Sequence, residues 1–441
     1  MVNLIIVLAI VASIVIGYKS KLNTGIVAII FAYLIGCLAL GLKPKDIIGM
    51  WPTSTMFQIM TITLFYGIGN INGTLEKTAR YLLYYMRNYK KLLPFILFLI
   101  AVLIGALGAG NFAVVAFLAP LSIMLCHESG TSILSAAVAV NAGSLVGGNF
   151  MTSNLGVVFR SLVDKAVTET PLEGFNSFRV SGVHFLVSFL FSVVLLLIFS
   201  LLNRRGNVES EALHVEKPEA YTPVQRVTLR LMLIMLAIVL VFPILHMILP
   251  DAKLITEINS KVDVSLIACI FAFIALAMKL APQKEAIARV PWNTIIMVCG
   301  VGMLIQVAIK AGTVDLLASW IGSNVPVVVI PVVFALVAGI MSFFSSTIGV
   351  VCPTLFPLIP SIALATGLNP LALFVCTLIG SQSTACSPLS ASGSMIVGSC
   401  TSQEEQNQLF NGLITRAVPV SLSLALVTAA IISLVSRALG A

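Results

Sequence analysis

Long apolar runs alternate along the chain with short polar joints, and the length of the runs decides what they are. A helix needs roughly 20 apolar residues to cross a hydrocarbon core of about 30 Å. Runs of that kind, bounded by charges, predict ten spans near 2–17, 24–42, 53–70, 132–158, 180–202, 225–249, 262–280, 292–310, 370–399 and 411–436. Two further apolar segments, 92–126 and 326–366, are too long for one span and are broken near the middle. Each predicts a re-entrant hairpin that leaves on the side it entered. The expected fold is an all-α polytopic membrane protein of ten transmembrane helices and two hairpins.

Composition leaves little room for another class. Hydrophobic residues make up 59% of the 441 positions and charged residues 10%, well outside the range of soluble domains. The longest hydrophilic segment, 203–222, is a connector too short to hold a catalytic domain. At the start, "MVNLIIVLAIVASIVIGYKSKLN" has Lys19 and Lys21 after its apolar run, which predicts a retained first span with the N-terminus outside. The eight cysteines fall mostly within apolar runs without metal-ligand spacing and read as packing residues.

The net charge of +8 sits in short loops beside the spans, so it reports orientation and not a nucleic-acid partner. With the N-terminus outside, Lys19/Lys21, Lys77/Arg80/Arg87/Lys90/Lys91, Arg204/Arg205 and Lys279/Lys284/Arg289 all fall on the cytoplasmic side. The opposite loops are nearly balanced: Arg160, Lys165 and Arg179 are offset by Asp164, Glu169 and Glu173. Ten crossings bring the C-terminus outside as well, in a multi-pass protein of the cell membrane.

The two halves follow one plan. "GTLEKTARYL" (73–82) resembles "GTVDLLASWI" (312–321), and each follows a span that opens with Trp and Pro. A hairpin candidate comes next in each, and then a long segment interrupted by small and polar residues, "NAGSLVGGNFMTSNLGVV" and "GSQSTACSPLSASGSMIVG". An odd number of crossings per half makes the second half inverted relative to the first. This predicts repeats over 1–203 (hairpin 92–126, broken span 132–158) and 225–441 (hairpin 326–366, broken span 370–399), joined by a connector at 204–224. Inverted repeats with discontinuous helices are the architecture of secondary transporters, which bind substrate near the midplane.

A helix broken at that depth leaves backbone N–H and C=O groups that lipid cannot satisfy, so each break predicts protein, water or ligand. The breaks are Gly108-Ala109-Gly110-Asn111, Gly147 to Asn154, Ser345-Ser346-Thr347 and Ser381 to Ser394. No Asp, Glu, Lys, Arg or His occurs between Ser129 and Phe159 or between Leu316 and Gln403. An anion here is held by hydroxyls, amides and the positive ends of helices beginning near Phe112 and Ile348. Carbonyl oxygens before the tips, near Gly108 and Phe344, suit a hard cation such as Na⁺, which offsets the substrate's charge. With no carboxylate at the breaks, and with His127, His184 and His246 near span ends, cation coupling is preferred to proton coupling. Locally bonded hydroxyls, glycines used for close packing and prolines that kink a span are the plain readings of the same residues taken singly.

At these breaks the chain resembles the divalent-anion/sodium symporters of the ion transporter superfamily, and most closely their bacterial dicarboxylate and malonate carrier branch. Members carry a Ser-Asn-Thr tip on each hairpin. Gly110, Asn111 and Phe112 stand at the first tip here, and Ser345, Ser346 and Thr347 at the second. The family's Thr-Pro step is matched by Ser387-Pro388, and Thr152-Ser153-Asn154 takes the other position without proline. The resemblance implies substrate contacts at Asn111, Phe112, Ser153, Asn154, Ser346, Thr347, Ser387 and Pro388. It implies cation sites at Gly110, Asn111 and Met151, and at Ser345, Ser346 and Cys386. It also implies no cofactor beyond Na⁺, a small dicarboxylate as substrate, a homodimer and elevator-type alternating access. Phe112 in place of a hydroxyl, and a second tip without an amide, are departures from the family pattern. The alternative is a proton-coupled carrier or exchanger of another small anion. An intramembrane enzyme is disfavoured, because the serines at depth have no His, Lys or Asp beside them in sequence to activate them.

Overall fold

The computed structural model describes residues 2–89, 92–172, 175–202, 216–249, 252–261, 263–400 and 402–438. Lys90, Lys91, Glu173, Arg204, Arg205 and the first part of the predicted connector lie outside the described residues, as does the His246 side chain. Among the described residues the regular structure is helical throughout. Six helices among the described residues are long and apolar enough to cross a membrane, Asn111–Ser129 and Ser177–Leu201 included. Outward-facing leucines such as Leu186, Leu190 and Leu201 are each more than 60% exposed, as lipid-facing residues at helical spacing must be.

Among the shorter apolar helices are four that flank the interruptions. Leu93–Ile104, Ile133–Gly148, Ile330–Phe344 and Pro370–Ser383 have 12, 16, 15 and 14 residues. At 1.5 Å per residue these reach roughly 18–24 Å, short of a hydrocarbon core. Each ends at one of the breaks read from the sequence. Leu93–Ile104 runs through a π-turn to Gly110, with Gly108 at φ 90° and Gly110 at φ 76°, before Asn111–Ser129 begins. A side chain at Gly108 would collide with the Tyr66 ring, so this position needs glycine twice over. Ile330–Phe344 ends in extended Ser345 and Ser346, and a π-turn over Thr347–Val351 follows.

The halves use the same pairings. Leu93–Ile104 packs on Ile133–Gly148, as Ile330–Phe344 packs on Pro370–Ser383. Thr24–Leu34 lies along Trp292–Lys310 and Val264–Ala277 along Thr53–Ile71, so each half's second span is held by the other half's third. Glycine permits this closeness: a Cβ on Gly300 would overlap the Gly25 carbonyl, and one on Gly380 the Ala335 carbonyl. The similar segments after each third span both start from a left-handed glycine, Gly73 and Gly312, each at φ 72°, ψ 14°.

Span ends meet in two groups. In one, Asn23 Nδ2 donates to the Asn293 carbonyl (2.8 Å), Asn72 Nδ2 to Thr228 Oγ1 (2.8 Å) and Lys77 Nζ to the Ala220 carbonyl (3.0 Å). His127 and Glu405 pair there at 2.9 Å. In the other, Thr313 Oγ1 donates to Asn3 Oδ1 (2.9 Å), Ser433 Oγ to the Val328 carbonyl (2.8 Å) and Gln306 to Glu169.

One expectation is corrected. The charges from Arg160 to Glu169 do not sit in a loop. They lie on the helix Asn154–Glu169, which continues the broken span well past its predicted end at 158 and packs on Thr53–Ile71. Two of them have contacts within the protein, Arg160 stacking 5.1 Å over the Phe178 ring and Glu169 accepting from Gln306, while Asp164 is exposed.

Candidate functional site

The breaks of the two halves face a common cavity of about 300 Å³. Asn111 and Phe112 enter it from the first half, and Ser345, Ser346 and Thr347 from the second. Gln382, Ser390 and Ser392 line it from the second broken span, and Thr294 and Met297 from an unbroken helix. Leu155 and Phe159 supply apolar wall. None of the described lining residues is ionisable.

What the wall offers is positive backbone. Asn111–Ser129 begins at the cavity with no side-chain cap, so its first N–H groups are unclaimed by a capping residue. The turn Thr347–Val351 also starts there, capped by Ser346, whose Oγ accepts from Gly349 N–H at 3.1 Å. A third start, Ala391–Gly398, is capped by Ser390, which accepts from Gly393 N–H at 3.1 Å. Helix N-termini favour anionic oxygens, and three of them begin at this uncharged cavity.

The three hydroxyls of the second tip are not equivalent. Ser345 Oγ donates to its own i−4 carbonyl, Met341, at 2.6 Å, which is the local bond that hydroxyls in spans commonly make. Thr347 Oγ1 is tied to Ser342 Oγ at 2.9 Å and to the Ser381 carbonyl at 3.3 Å. Ser346 accepts as a cap and keeps its own O–H for something else: no described residue takes that proton. Asn111 is 7% exposed, faces the cavity, and its amide bonds to no described residue. A buried, unclaimed amide costs stability unless a ligand or water meets it.

The remaining predicted residues surround the cavity without lining it. Ser153 is fully buried and donates to the Gly105 carbonyl at 2.6 Å, fastening the broken span to the first tip. Asn154 starts the following helix beside Gly110, with its Nδ2 3.4 Å from where a Cβ on that glycine would stand. The carbonyl of Met151 takes a long bond of 3.5 Å from Arg160. Ser387 is buried and accepts from Leu389 N–H at 3.2 Å, and Pro388 is buried next to it. Cys386 Sγ lies 3.9 Å from the Ser383 carbonyl, its acceptor. Near the first tip the Gly105 and Ala109 carbonyls accept from Ser153 and Asn70, and near the second the Gly339 and Met341 carbonyls accept from Thr384 and Ser345.

Residues 1–148 match the family model for the N-terminus of the dicarboxylate carrier protein MatC. The matched stretch contains the first tip and the first half of the first broken span. In fold, the chain is similar to the YdaH transporter of Alcanivorax borkumensis, whose crystal structure is described as having an unusual topology. That likeness has a TM-score of 0.62 at 18% identity, over 91% of this chain and 87% of that one. No curated relative matches the chain in sequence. The partial match to a carrier family and the likeness in fold to a transporter agree with the long apolar helices of a multi-pass membrane protein.

His184 is placed differently from its expected position away from the breaks. It is buried, its ring stands 5.9 Å from that of cavity-lining Phe159, and neither ring nitrogen has a hydrogen-bond partner among the described residues.

Proposed function

We propose that the protein is a secondary active transporter of small dicarboxylates, of the C4-dicarboxylate or malonate class, coupled to Na⁺. The observation that carries this reading is the uncharged cavity where two tips, one from each half, present uncapped or hydroxyl-capped helix N-termini beside the unclaimed Asn111 amide. Its size and its donors suit a small dianion, and the carrier-family match over residues 1–148 supports the same substrate class. Segments 92–126 and 326–366 act as re-entrant hairpins of two inverted repeats, 1–203 and 225–441. The matched pairings of the halves support that organisation. The positive loops set both termini outside. A homodimer working by elevator-type alternating access completes the proposal.

Counterflow tests the substrate. Unlabelled internal malate, succinate or malonate should accelerate uptake of the same labelled acid into proteoliposomes, as a carrier does and a channel does not. Failure with all three acids removes the dicarboxylate assignment.

Coupling has two readings. Na⁺ is favoured by hydroxyl and carbonyl oxygens around Ser345 and Ser346, where no described side chain is charged. Proton coupling has one candidate group, His184, buried with its ring against cavity-lining Phe159 and both nitrogens unpartnered among the described residues. An inward sodium gradient should drive uptake at constant pH; uptake driven by a proton gradient alone reverses the preference.

A further inference from the structure

Two amides from opposite halves of the chain form a reciprocal pair at the cavity wall. Gln382 Nε2 donates to Asn149 Oδ1 at 2.7 Å, and Asn149 Nδ2 donates to Gln382 Oε1 at 2.8 Å. Asn149 is fully buried, ends the helix Ile133–Gly148, and reaches Ser188 Oγ with Nδ2 at 3.4 Å. All its partners are protein. Gln382 lies in the last turn of Pro370–Ser383 and lines the cavity.

The consequence follows from what a primary amide is. It has two N–H donors and an acceptor oxygen, and a half-turn about its last bond exchanges them. An anion in the cavity meets attraction from one orientation and repulsion from the other. The pair removes the choice: Asn149 fixes Oε1 and one N–H of Gln382 and leaves the second N–H as the group the amide can still offer. The cavity's other fixed donors come from helix starts and hydroxyls, and a held amide adds one more without adding charge.

We propose that Gln382 contacts the transported anion through Nε2 and that Asn149 is its positioning residue, so that the pair selects dianionic oxygens over neutral analogues. This rests on the dicarboxylate reading above.

The test uses full-length protein in proteoliposomes with malonate and succinate as probes. Gln382→Met keeps the length of the side chain and removes the donor; KM for both acids should rise about tenfold while kcat holds, and the melting temperature of ligand-free protein should fall because the buried Asn149 amide loses its partner. Gln382→Glu keeps the bond from Asn149 and turns a carboxylate toward the substrate. Its KM should rise further, and the ratio of its KM to that of wild type should fall as the pH is lowered and the introduced carboxyl takes up a proton. Asn149→Ser, which frees Gln382 to turn, should raise KM and leave kcat close to wild type. A wild-type KM in either Gln382 variant overturns the proposal, and the Glu variant decides alone where the Met variant does not fold. Absence of malonate and succinate uptake by the wild-type protein counts instead against the dicarboxylate reading.

Discussion

Ser346→Ala should remove most transport activity, and Ser345→Ala, one residue away, should remove little. Ser346 caps the turn at Thr347–Val351 and keeps its own proton unclaimed at the cavity. Its loss forfeits a cap worth about 1 kcal/mol and a hydrogen bond to a charged ligand worth about 1.5–3 kcal/mol. The ligand term alone corresponds to an affinity loss of roughly 10- to 150-fold. Ser345 forfeits only its bond to the Met341 carbonyl, which the helix end can satisfy with water from the cavity. Asn111→Ala belongs with Ser346: its amide has no described protein partner, so truncation removes a ligand contact and leaves no protein group orphaned. Initial uptake rates, normalised to folded protein, read these differences, and ligand-free melting temperatures separate them from misfolding. Wild-type rates in both Ser346→Ala and Asn111→Ala take the tips out of the site, and a larger loss in Ser345→Ala than in Ser346→Ala reverses the assignment of roles within the tip.

The contrast marks where sequence reasoning stops. A break in an apolar run is legible because lipid forbids unpaired backbone, and the breaks at 108–111 and 345–347 fall where the polar residues interrupt the pattern. Which of three adjacent hydroxyls is free depends on the direction of each Cα–Cβ bond after the helix stops, and composition does not encode it. Leu155, Phe159 and Met297 escaped notice as site residues because an apolar side chain facing a cavity has the same sequence signature as one facing lipid. The Asn149–Gln382 pair lies inside two stretches that stood out as interruptions, but a contact between residues 233 positions apart has no local signal. The charges from Arg160 to Glu169 misled for the opposite reason. Charge reads as a loop, and here it rides on a helix: Lys165 and Glu169 face Pro52 and Gln306 across a helix junction, while Asp164 is exposed.

Gly147→Val should cost the folded protein itself. Gly147 sits on the face of Ile133–Gly148 against which Leu93–Ile104 packs, and its neighbours are backbone. A Cβ there would overlap the Val102 carbonyl and lie 2.9 Å from Gly105 Cα and 3.0 Å from the Ala101 carbonyl. Side chains yield to overpacking at a cost of about 1–3 kcal/mol, but a helix backbone yields only by moving away as a unit. That movement would also shift the Gly105 carbonyl, which holds Ser153, and with it the first tip. Gly147→Ala should therefore lower the melting temperature by several degrees, and Gly147→Val should give little monodisperse protein. Gly398, where a Cβ would meet nothing within 4 Å, provides the control: Gly398→Ala should be neutral to within about 1 kcal/mol. Size-exclusion profiles and thermal unfolding of the three variants measure the difference. Equal stability in Gly147→Val and Gly398→Ala means that the two helices do not depend on this close approach, and the positioning of Asn111 must then come from Asn111–Ser129 alone.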